Sequence, residues 1–248
     1  MDTTLEIVLP VLNEERGLAL AVDTLSAYLT ENLDEFDWRI VIADNGSTDS
    51  TPTICHELSQ ENNRVEFIRL SERGRGRALK QAWTASDASI VGYMDVDLST
   101  RLDSLPALVN AVHNEGYDIA IGSRLSRGSQ VVGRPIKREL ISRAYSLLVR
   151  AMFWTGFVDP QCGFKVLNLR TARSIVGVVM DPGWFFDSEM LIVAEKNGYR
   201  IKEVPIHWTD DPDSRVDVLR TAYRDIKGLL RLRTGGLYKA SRKLSGGQ

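Results

Sequence analysis

Apolar and polar positions follow a strand–helix–strand pattern in the first part of the chain. The short β-branched runs at 5–12 and 38–44 each end in polar residues, which is typical of buried strands. Between them, apolar residues recur at helical spacing: Leu18, Ala21, Val22, Leu25 and Leu29. Such a unit predicts two parallel strands joined by a right-handed crossover.

This pattern continues to residue 124 and changes after residue 130. Further strands are predicted at 65–70, 89–97, 117–124, 162–168 and 200–208, and further helices at 51–60, 74–86, 103–116, 137–158, 186–198 and 217–233. Strands alternating with helices indicate an α/β fold with a mostly parallel sheet. We expect one domain over residues 1–214 and a basic amphipathic C-terminal extension over 215–248.

Composition excludes several classes of protein. The chain has 248 residues, enough to bury a substantial core. Its 2 cysteines lack CxxC spacing and its 3 histidines are scattered, so neither a disulfide framework nor a zinc site is expected. The N-terminus does not resemble a signal peptide, and no apolar run approaches membrane-spanning length. We therefore expect a cytoplasmic protein, and nothing indicates a nucleic-acid partner.

Charge is unevenly distributed along the chain. Residues 1–114 hold 9 basic and 19 acidic side chains, whereas residues 215–248 hold 9 basic and 2 acidic ones. Within 124–150 there are seven basic side chains against Glu139 alone. An acidic first half suits a metal, and basic clusters suit phosphates or an anionic surface. Solvated helix faces are the simpler interpretation of both clusters.

Two aspartates stand one residue apart at the end of the strand predicted at 89–97. Asp95 and Asp97 there, and Asp44 after the strand at 38–44, fall at carboxyl ends, where open α/β sheets bind ligands. Two carboxylates so placed can bind one hard divalent cation such as Mg²⁺ or Mn²⁺. On its own, such a pair is more often only a turn former.

Several motifs accompany this pair in order. They are LPVLNEE, ADNGSTDST, RGRGRALKQA, DVDLS and GSR, followed by RELIS, DPQCGFKVL, WFFDSEML, EVPIHW and DSRV. The first five resemble the family 2 glycosyltransferases of GT-A fold. The later ones resemble the dolichyl- and polyprenyl-phosphate sugar synthases, of the dolichol-phosphate-mannose and dolichol-phosphate-glucose type. QCGFK followed by FFDSE is the most specific part of this resemblance.

The resemblance implies a nucleotide-sugar donor site with a Mg²⁺ or Mn²⁺ ion. The implied donor-binding residues are Pro10, Asn13, Glu14, Asp44, Arg77 and Asp95. The implied metal ligands are Asp95, Asp97 and Ser99. Ser99 departs from the mannose-type enzymes, which often carry Gln at this position, so the strength and identity of the metal are less well defined.

The same resemblance implies a polyprenyl phosphate acceptor. The implied phosphate-binding residues are Arg124, Arg138, Ser142 and Arg215, and the implied catalytic residues are Asp97, Arg124, Asp159 and Glu189. A phosphate oxyanion attacks without a general base, so the expected reaction inverts the anomeric centre and gives a β-linked lipid monophosphate sugar. A hydroxyl acceptor would instead need a base, for which Asp187, Glu189 and Asp159 are candidates.

Membrane contact, if the acceptor is a lipid, must come from the surface of the protein. Segments 137–158 and 217–233 are candidate interfacial helices, so we expect a protein peripheral on the cytoplasmic face of a membrane, with a partner membrane protein as a further means of anchoring. Packing on the sheet or forming a dimer is the alternative role for both segments. A transferase acting on a hydroxyl acceptor, and a sugar-nucleotide-binding module without catalysis, are the alternative functions.

Overall fold

A seven-stranded mixed sheet forms the centre of the protein, as seen in the computed structural model, which describes residues 3–210 and 218–246. Its strands are β1 (Thr4–Val11), β2 (Asp37–Asp44), β3 (Val65–Arg69), β4 (Ile90–Met94), β5 (Ile119–Ser123), β7 (Phe164–Asn168) and β8 (Ile201–Pro205). They lie in the order β3-β2-β1-β4-β7-β5-β8. Only β7 is antiparallel to its neighbours, which confirms the predicted mostly parallel sheet.

Helices cover both faces of this sheet. They are α1 (Leu18–Asn32), α2 (Thr51–Glu61), α3 (Arg75–Ala85), α4 (Leu105–His113), α5 (Ile136–Phe153), α6 (Leu169–Val176), α7 (Phe186–Lys196), α8 (Val218–Arg231) and α9 (Leu237–Ser245). Along β1, Ile7 and Leu9 enter one core while Val8 enters the other. Successive side chains on a strand point to opposite faces, so burial on both sides explains the continuous apolar runs.

A small second sheet lies beside the main one and was not predicted. It pairs β6 (Gln130–Val132) with β9 (His207–Thr209) in parallel. The residues just after β4 hydrogen-bond to β9, with Thr209 N–H donating to the Ser99 carbonyl at 2.8 Å. The small sheet therefore adjoins the turn that carries Asp95 and Asp97.

The predicted helix at 137–158 is shorter than expected. Helix α5 ends at Phe153 because Trp154 adopts the left-handed conformation, with φ of 56°. Only Ser146, Val149 and Phe153 of this helix are buried. Most of its surface is thus not covered by the sheet.

The C-terminal helices pack on the domain. Leu229, Leu232 and Ala240 join the core that also contains Val8. The helical spacing of Leu219, Ala222, Ile226, Leu229 and Leu230 predicts one apolar face for α8, but Leu229 is buried while Ile226 and Leu230 are exposed. The other predicted members of that face are Leu219, whose side chain lies outside the described residues, and half-buried Ala222.

A close approach explains which face of α8 is buried. A Cβ atom at Gly228 would lie 2.3 Å from the Phe185 ring, so only glycine lets the helix sit this close. The division at residues 214 and 215 remains a prediction. In the described part of the chain, no helix is long and apolar enough to cross a membrane.

Candidate active site at the carboxyl edge of the sheet

The two aspartates of the motif DVDLS lie in a turn directly after β4. Asp97 is exposed and the Asp95 side chain is 42% exposed, so both carboxylates are accessible. Leu98 has a φ of 52°, and the Ser99 N–H donates to Asp97 Oδ1 at 2.9 Å. This turn holds both carboxylates at the carboxyl edge of the sheet, as predicted from their positions.

A buried guanidinium lies next to the acidic pair. Arg75 Nη2 lies 2.8 Å from Asp95 Oδ1, and its Nε lies 3.8 Å from Asp187 Oδ2. Its guanidinium also lies 4.9 Å from the Trp184 ring centroid. Burial opposes the charge, but the two carboxylates outweigh it and raise the pKa of Arg75. Sequence reasoning missed this residue and selected Arg77 from the same motif.

Beneath Arg75 lies a buried ion pair. Lys165 Nζ donates to Asp187 Oδ1 at 2.9 Å, to the Tyr93 hydroxyl at 3.0 Å and to the Cys162 carbonyl. The Tyr93 hydroxyl also donates to Asp187. Burial lowers the pKa of Lys165 to about 7, and burial raises the pKa of Asp187 to about 7. The pair links β7 to the first turn of α7 and thereby fixes the surroundings of Arg75.

The turn 159–163, within the motif DPQCGFK, connects this acidic side to a basic one. At its start, Asp159 accepts hydrogen bonds from Arg124 Nε and Nη2, both at 2.8 Å, and from the Arg124 N–H at 2.9 Å. At its end, the Gly163 carbonyl accepts the Asp95 N–H at 3.1 Å. One short segment therefore sets the positions of both Arg124 and Asp95.

Two guanidinium groups share one indole ring on the basic side. Arg124 and Arg134 each lie 5.6 Å from the Trp208 ring centroid, within range of a cation–π interaction. Trp208 belongs to β9 and forms an isolated bridge with Thr100, three residues after Asp97. Trp208 therefore places Arg124 and Arg134, which we call the basic cluster, close to the acidic turn.

The remaining predicted phosphate-binding residues extend this cluster. Arg138 pairs with Asp210, and Ser142 accepts a hydrogen bond from Arg134. Arg215 lies outside the described residues. Arg134 was not among the predicted phosphate-binding residues, although the run of basic residues contained it.

Asp159 is buried and holds a guanidinium partner that is 13% exposed. Burial disfavours the charged form of both side chains. The attraction and hydrogen bonds between the two groups outweigh this cost, so the pKa of Arg124 is raised and the pKa of Asp159 is lowered. Glu189, also predicted as catalytic, is 2% exposed and accepts two hydrogen bonds from Arg231 on α8, at 2.9 and 2.7 Å. Each of these carboxylates is occupied by a guanidinium group, which favours positioning roles for both.

The predicted donor loops are held together by hydrogen bonds. Asn13, with a φ of 57°, accepts the Thr48 N–H at 2.8 Å and donates its own N–H to the Ser47 hydroxyl at 2.9 Å. The Glu14 N–H donates to the Thr51 hydroxyl at 2.8 Å. These contacts join the loops after β1 and β2 into one rim.

Other predicted donor residues take different positions around this rim. Half-buried Pro10 lies near the end of β1, while fully buried Asp44 ends β2 with Oδ2 at 3.3 Å from Arg69 Nε. Arg77, in the first turn of α3, pairs at 2.9 Å with Glu72 in the loop that precedes this helix. The structure therefore pairs Arg75, and not Arg77, with the acidic turn.

The acidic turn fits a hard divalent cation. Two accessible carboxylates supply oxygen ligands and leave coordination positions for the oxygens of a substrate. Among residues 3–210 and 218–246, no three His, Cys, Asp or Glu side chains gather as a metal site. Burial raises the pKa of both thiols, Cys55 and Cys162, to about 12, so they are not metal ligands or nucleophiles.

Helix α8 reaches the turn 159–163 through a buried carboxylate. Asp225 is 2% exposed, accepts a hydrogen bond from Gln161 and leaves Oδ1 without a hydrogen-bond partner in the described structure. Burial raises the pKa of Asp225 to about 7. Below about pH 7 the neutral carboxyl group is therefore favoured in the folded protein.

We expect Asp225→Asn to stabilise the protein at alkaline pH. A raised pKa in the folded state means that stability is lost as the pH rises from about 4 to about 7, and asparagine does not titrate. The difference in unfolding free energy between variant and wild type should grow by roughly 3 kcal/mol between pH 5 and pH 8. Denaturant unfolding at a series of pH values measures this, and a constant difference would refute the assignment.

The sheet order, the acidic turn after β4 and the joined loops after β1 and β2 define a GT-A nucleotide-sugar transferase fold. Residues 6–170 match the sequence profile described as "Glycosyl transferase family 2". The chain belongs to this family.

Curated relatives align with most of this chain. Glycosyltransferase AglD of Haloferax volcanii is 36% identical over 228 residues, which are 90% of this chain and 35% of that protein. The dolichyl-phosphate beta-glucosyltransferase of Dictyostelium discoideum is 28% identical over 92% of this chain and 73% of its own length. The enzyme of the same name from Saccharomyces cerevisiae is 27% identical over 96% and 78%. This chain thus spans only about a third of AglD.

Solved structures share the fold. Glucosyl-3-phosphoglycerate synthase from Mycobacterium tuberculosis, in complex with UDP, superposes with a TM-score of 0.70 at 21% identity, covering 94% of this chain and 80% of that one. The same enzyme with Mn²⁺ and UDP-glucose gives a TM-score of 0.68 at 20% identity, covering 94% and 79%.

Proposed function

We propose that this chain transfers a hexose from a UDP-sugar to a polyprenyl phosphate at a membrane surface, inverting the anomeric carbon. The observation that carries this proposal is the basic cluster next to the acidic turn. Arg124 and Arg134 flank Trp208, whose strand hydrogen-bonds to the segment after Asp97. A phosphate acceptor needs such charge close to the donor diphosphate, whereas a hydroxyl acceptor does not.

On the donor side, Asp95 and Asp97 would hold Mg²⁺ or Mn²⁺, with the Ser99 hydroxyl as a third ligand. Such an ion, when bound, supplies positive charge to the leaving diphosphate. Arg75 would keep Asp95 oriented by its 2.8 Å contact. The joined loops of Asn13 and Glu14 would accept the nucleoside.

On the acceptor side, Arg124, Arg138, Ser142 and Arg215 would bind the phosphate. An ionised phosphate oxygen then forms a bond to C1 of the sugar as the bond from C1 to the diphosphate oxygen breaks. UDP leaves from the opposite face, so an α-linked donor gives a β-linked product. No proton has to be removed, so Asp159 acts through the orientation of Arg124.

The donor we propose is UDP-glucose. The two eukaryotic relatives are named dolichyl-phosphate beta-glucosyltransferases, and the structural neighbour was solved with UDP-glucose. The FFDSE and DPQCGFK motifs favour the same sugar. A hydroxyl acceptor remains the competing function.

The surface of α5 supports the membrane part of the proposal. Ile136, Leu140 and Leu147 are 79%, 62% and 67% exposed. Basic side chains, including Lys137 and Arg143, share this helix. Exposed apolar residues among basic ones suit an interfacial helix on an anionic lipid surface, which we place on the cytoplasmic face.

A radiolabelled donor panel tests this function. Purified protein, polyprenyl phosphate and Mn²⁺ or Mg²⁺ are incubated with UDP-glucose, GDP-mannose, UDP-galactose, UDP-N-acetylglucosamine or UDP-N-acetylgalactosamine. We expect label from UDP-glucose to enter the organic phase. The Asp97→Ala variant should transfer at least 100-fold less label. Transfer should be faster when the polyprenyl phosphate is in anionic vesicles than when it is in neutral micelles. No organic-phase label, with metal-dependent donor hydrolysis, would refute the lipid acceptor.

A further inference from the structure

We propose that Arg134 is a primary ligand of the acceptor phosphate and that Glu139 occupies the phosphate position until the acceptor displaces it. This inference rests on the proposed function and adds two residues to it. Arg134 precedes α5 in the loop after β6, and Glu139 lies in the first turn of α5. Neither belongs to the residues that the family resemblance implies.

The first observation is the incomplete bonding of a buried guanidinium. The Arg134 side chain is 6% exposed, with Nη1 donating to Glu139 at 2.9 Å and Nη2 donating to Ser142. Its Nε is buried without a hydrogen-bond partner among the described residues. A buried donor without a partner is costly, so this group has unused capacity for an anion.

The second observation is the balance of charge around Trp208. Arg124 is paired with Asp159 and Arg138 with Asp210, each with its own carboxylate. Arg134 has no carboxylate of its own.

Glu139 is the carboxylate that Arg134 has to share. It contacts Arg134 at 2.9 Å through Oε2 and Arg143 at 2.6 Å through Oε1. Four guanidinium groups therefore face three carboxylates, which leaves one net positive charge in this cluster.

The third observation concerns Glu139 itself. Its side chain is 28% exposed, and it is the only acidic residue in 124–150. A carboxylate held by a guanidinium group mimics a phosphate held by the same group. A phosphate dianion brings more charge and more acceptor oxygens than a carboxylate, so it can displace Glu139 from Arg134, next to the Ser142 hydroxyl.

Steady-state kinetics of the full chain with UDP-glucose and polyprenyl phosphate test the inference. We expect Glu139→Gln to lower KM for the lipid phosphate 3- to 10-fold, because the competing charge is removed. Arg134→Gln should raise this KM at least 10-fold while kcat changes less than 3-fold, and Arg134→Lys should restore part of the loss. In the Arg134→Gln background, Glu139→Gln should have no further effect.

Arg64→Gln is the matched control. It removes a guanidinium group that is 44% exposed and lies just before β3, at the edge of the sheet opposite the acidic turn, so KM should stay within twofold. If wild type transfers sugar, an unchanged KM in Arg134→Gln or a raised KM in Glu139→Gln would overturn this inference and leave the proposed function standing. Glu139→Gln keeps the test valid even if Arg134→Gln fails to fold.

Calorimetric titration with farnesyl phosphate separates the inference from the proposed function. Binding weakened by Arg134→Gln and strengthened by Glu139→Gln supports the site even if wild type transfers no sugar. Farnesol should show neither effect. Equal affinity of all three proteins for farnesyl phosphate would refute the site whatever the transferase assay shows.

Discussion

Gly163→Ala is expected to lower kcat/KM for sugar transfer at least about 100-fold. A Cβ atom at this position would lie 1.9 Å from Asp95 Oδ2 and 2.7 Å from Arg75 Nη2, so Asp95 has to move. Displacement of a reacting group by about 1 Å costs on the order of 100-fold. Initial rates at a series of Mn²⁺ concentrations measure this. We also expect the variant to need a higher Mn²⁺ concentration for a half-maximal rate.

Gly17→Ala provides a control for this variant. A Cβ atom there meets nothing within 4 Å, so activity and melting temperature should stay near wild type. Gly163→Ala should keep most of its stability, since Asp95 is partly exposed and can rotate away. Wild-type kcat/KM in Gly163→Ala would show that the position of Asp95 does not matter for transfer.

Asp159→Asn should destabilise the protein by roughly 3 kcal/mol and raise KM for the acceptor. The substitution leaves Arg124 buried without its counter-charge, and breaking a buried ion pair from one side typically costs 3–5 kcal/mol. Arg124 then loses its fixed orientation, which weakens phosphate binding. Denaturant unfolding and kinetics with varied polyprenyl phosphate measure both effects.

The same variant distinguishes positioning from general-base catalysis. If Asp159 were a general base, its replacement would lower kcat strongly with little change in KM or stability. Asp103→Asn serves as control, because its pairs with Arg101 and His207 are partly exposed and should contribute less than about 1 kcal/mol. A large fall in kcat alone in Asp159→Asn would contradict the positioning role and favour a hydroxyl acceptor.

The alternating strands and helices could be predicted because their signals are local. Apolar periodicity marked β1, α1 and β2, and the polar strand ends marked the carboxyl edge with Asp95 and Asp97. The end of α5 could not be predicted, since the apolar sequence continues past Phe153 and only the backbone of Trp154 ends the helix. The buried face of α8 depends on the close approach of Gly228 to Phe185, which periodicity does not reveal.

Side-chain pairings across the fold were harder to predict than the fold itself. Arg75 and Arg77 flank the same glycine, and only the three-dimensional arrangement pairs the first with Asp95. Arg134 and Glu139 likewise stood out only as members of the charged run at 124–150. The position of Arg134 close to Arg124 depends on Trp208, about 70 residues away in sequence, whose ring both guanidinium groups approach.

The most direct test compares polyprenyl phosphate with polyprenol of the same chain length. Both are offered at equal concentration with labelled UDP-glucose and Mn²⁺, and label in the extracted lipid is measured. We predict that label enters only the phosphate-containing lipid, as a β-linked glucosyl monophosphate. Label in polyprenol, with none in polyprenyl phosphate, would contradict the proposal that the basic cluster binds the nucleophile.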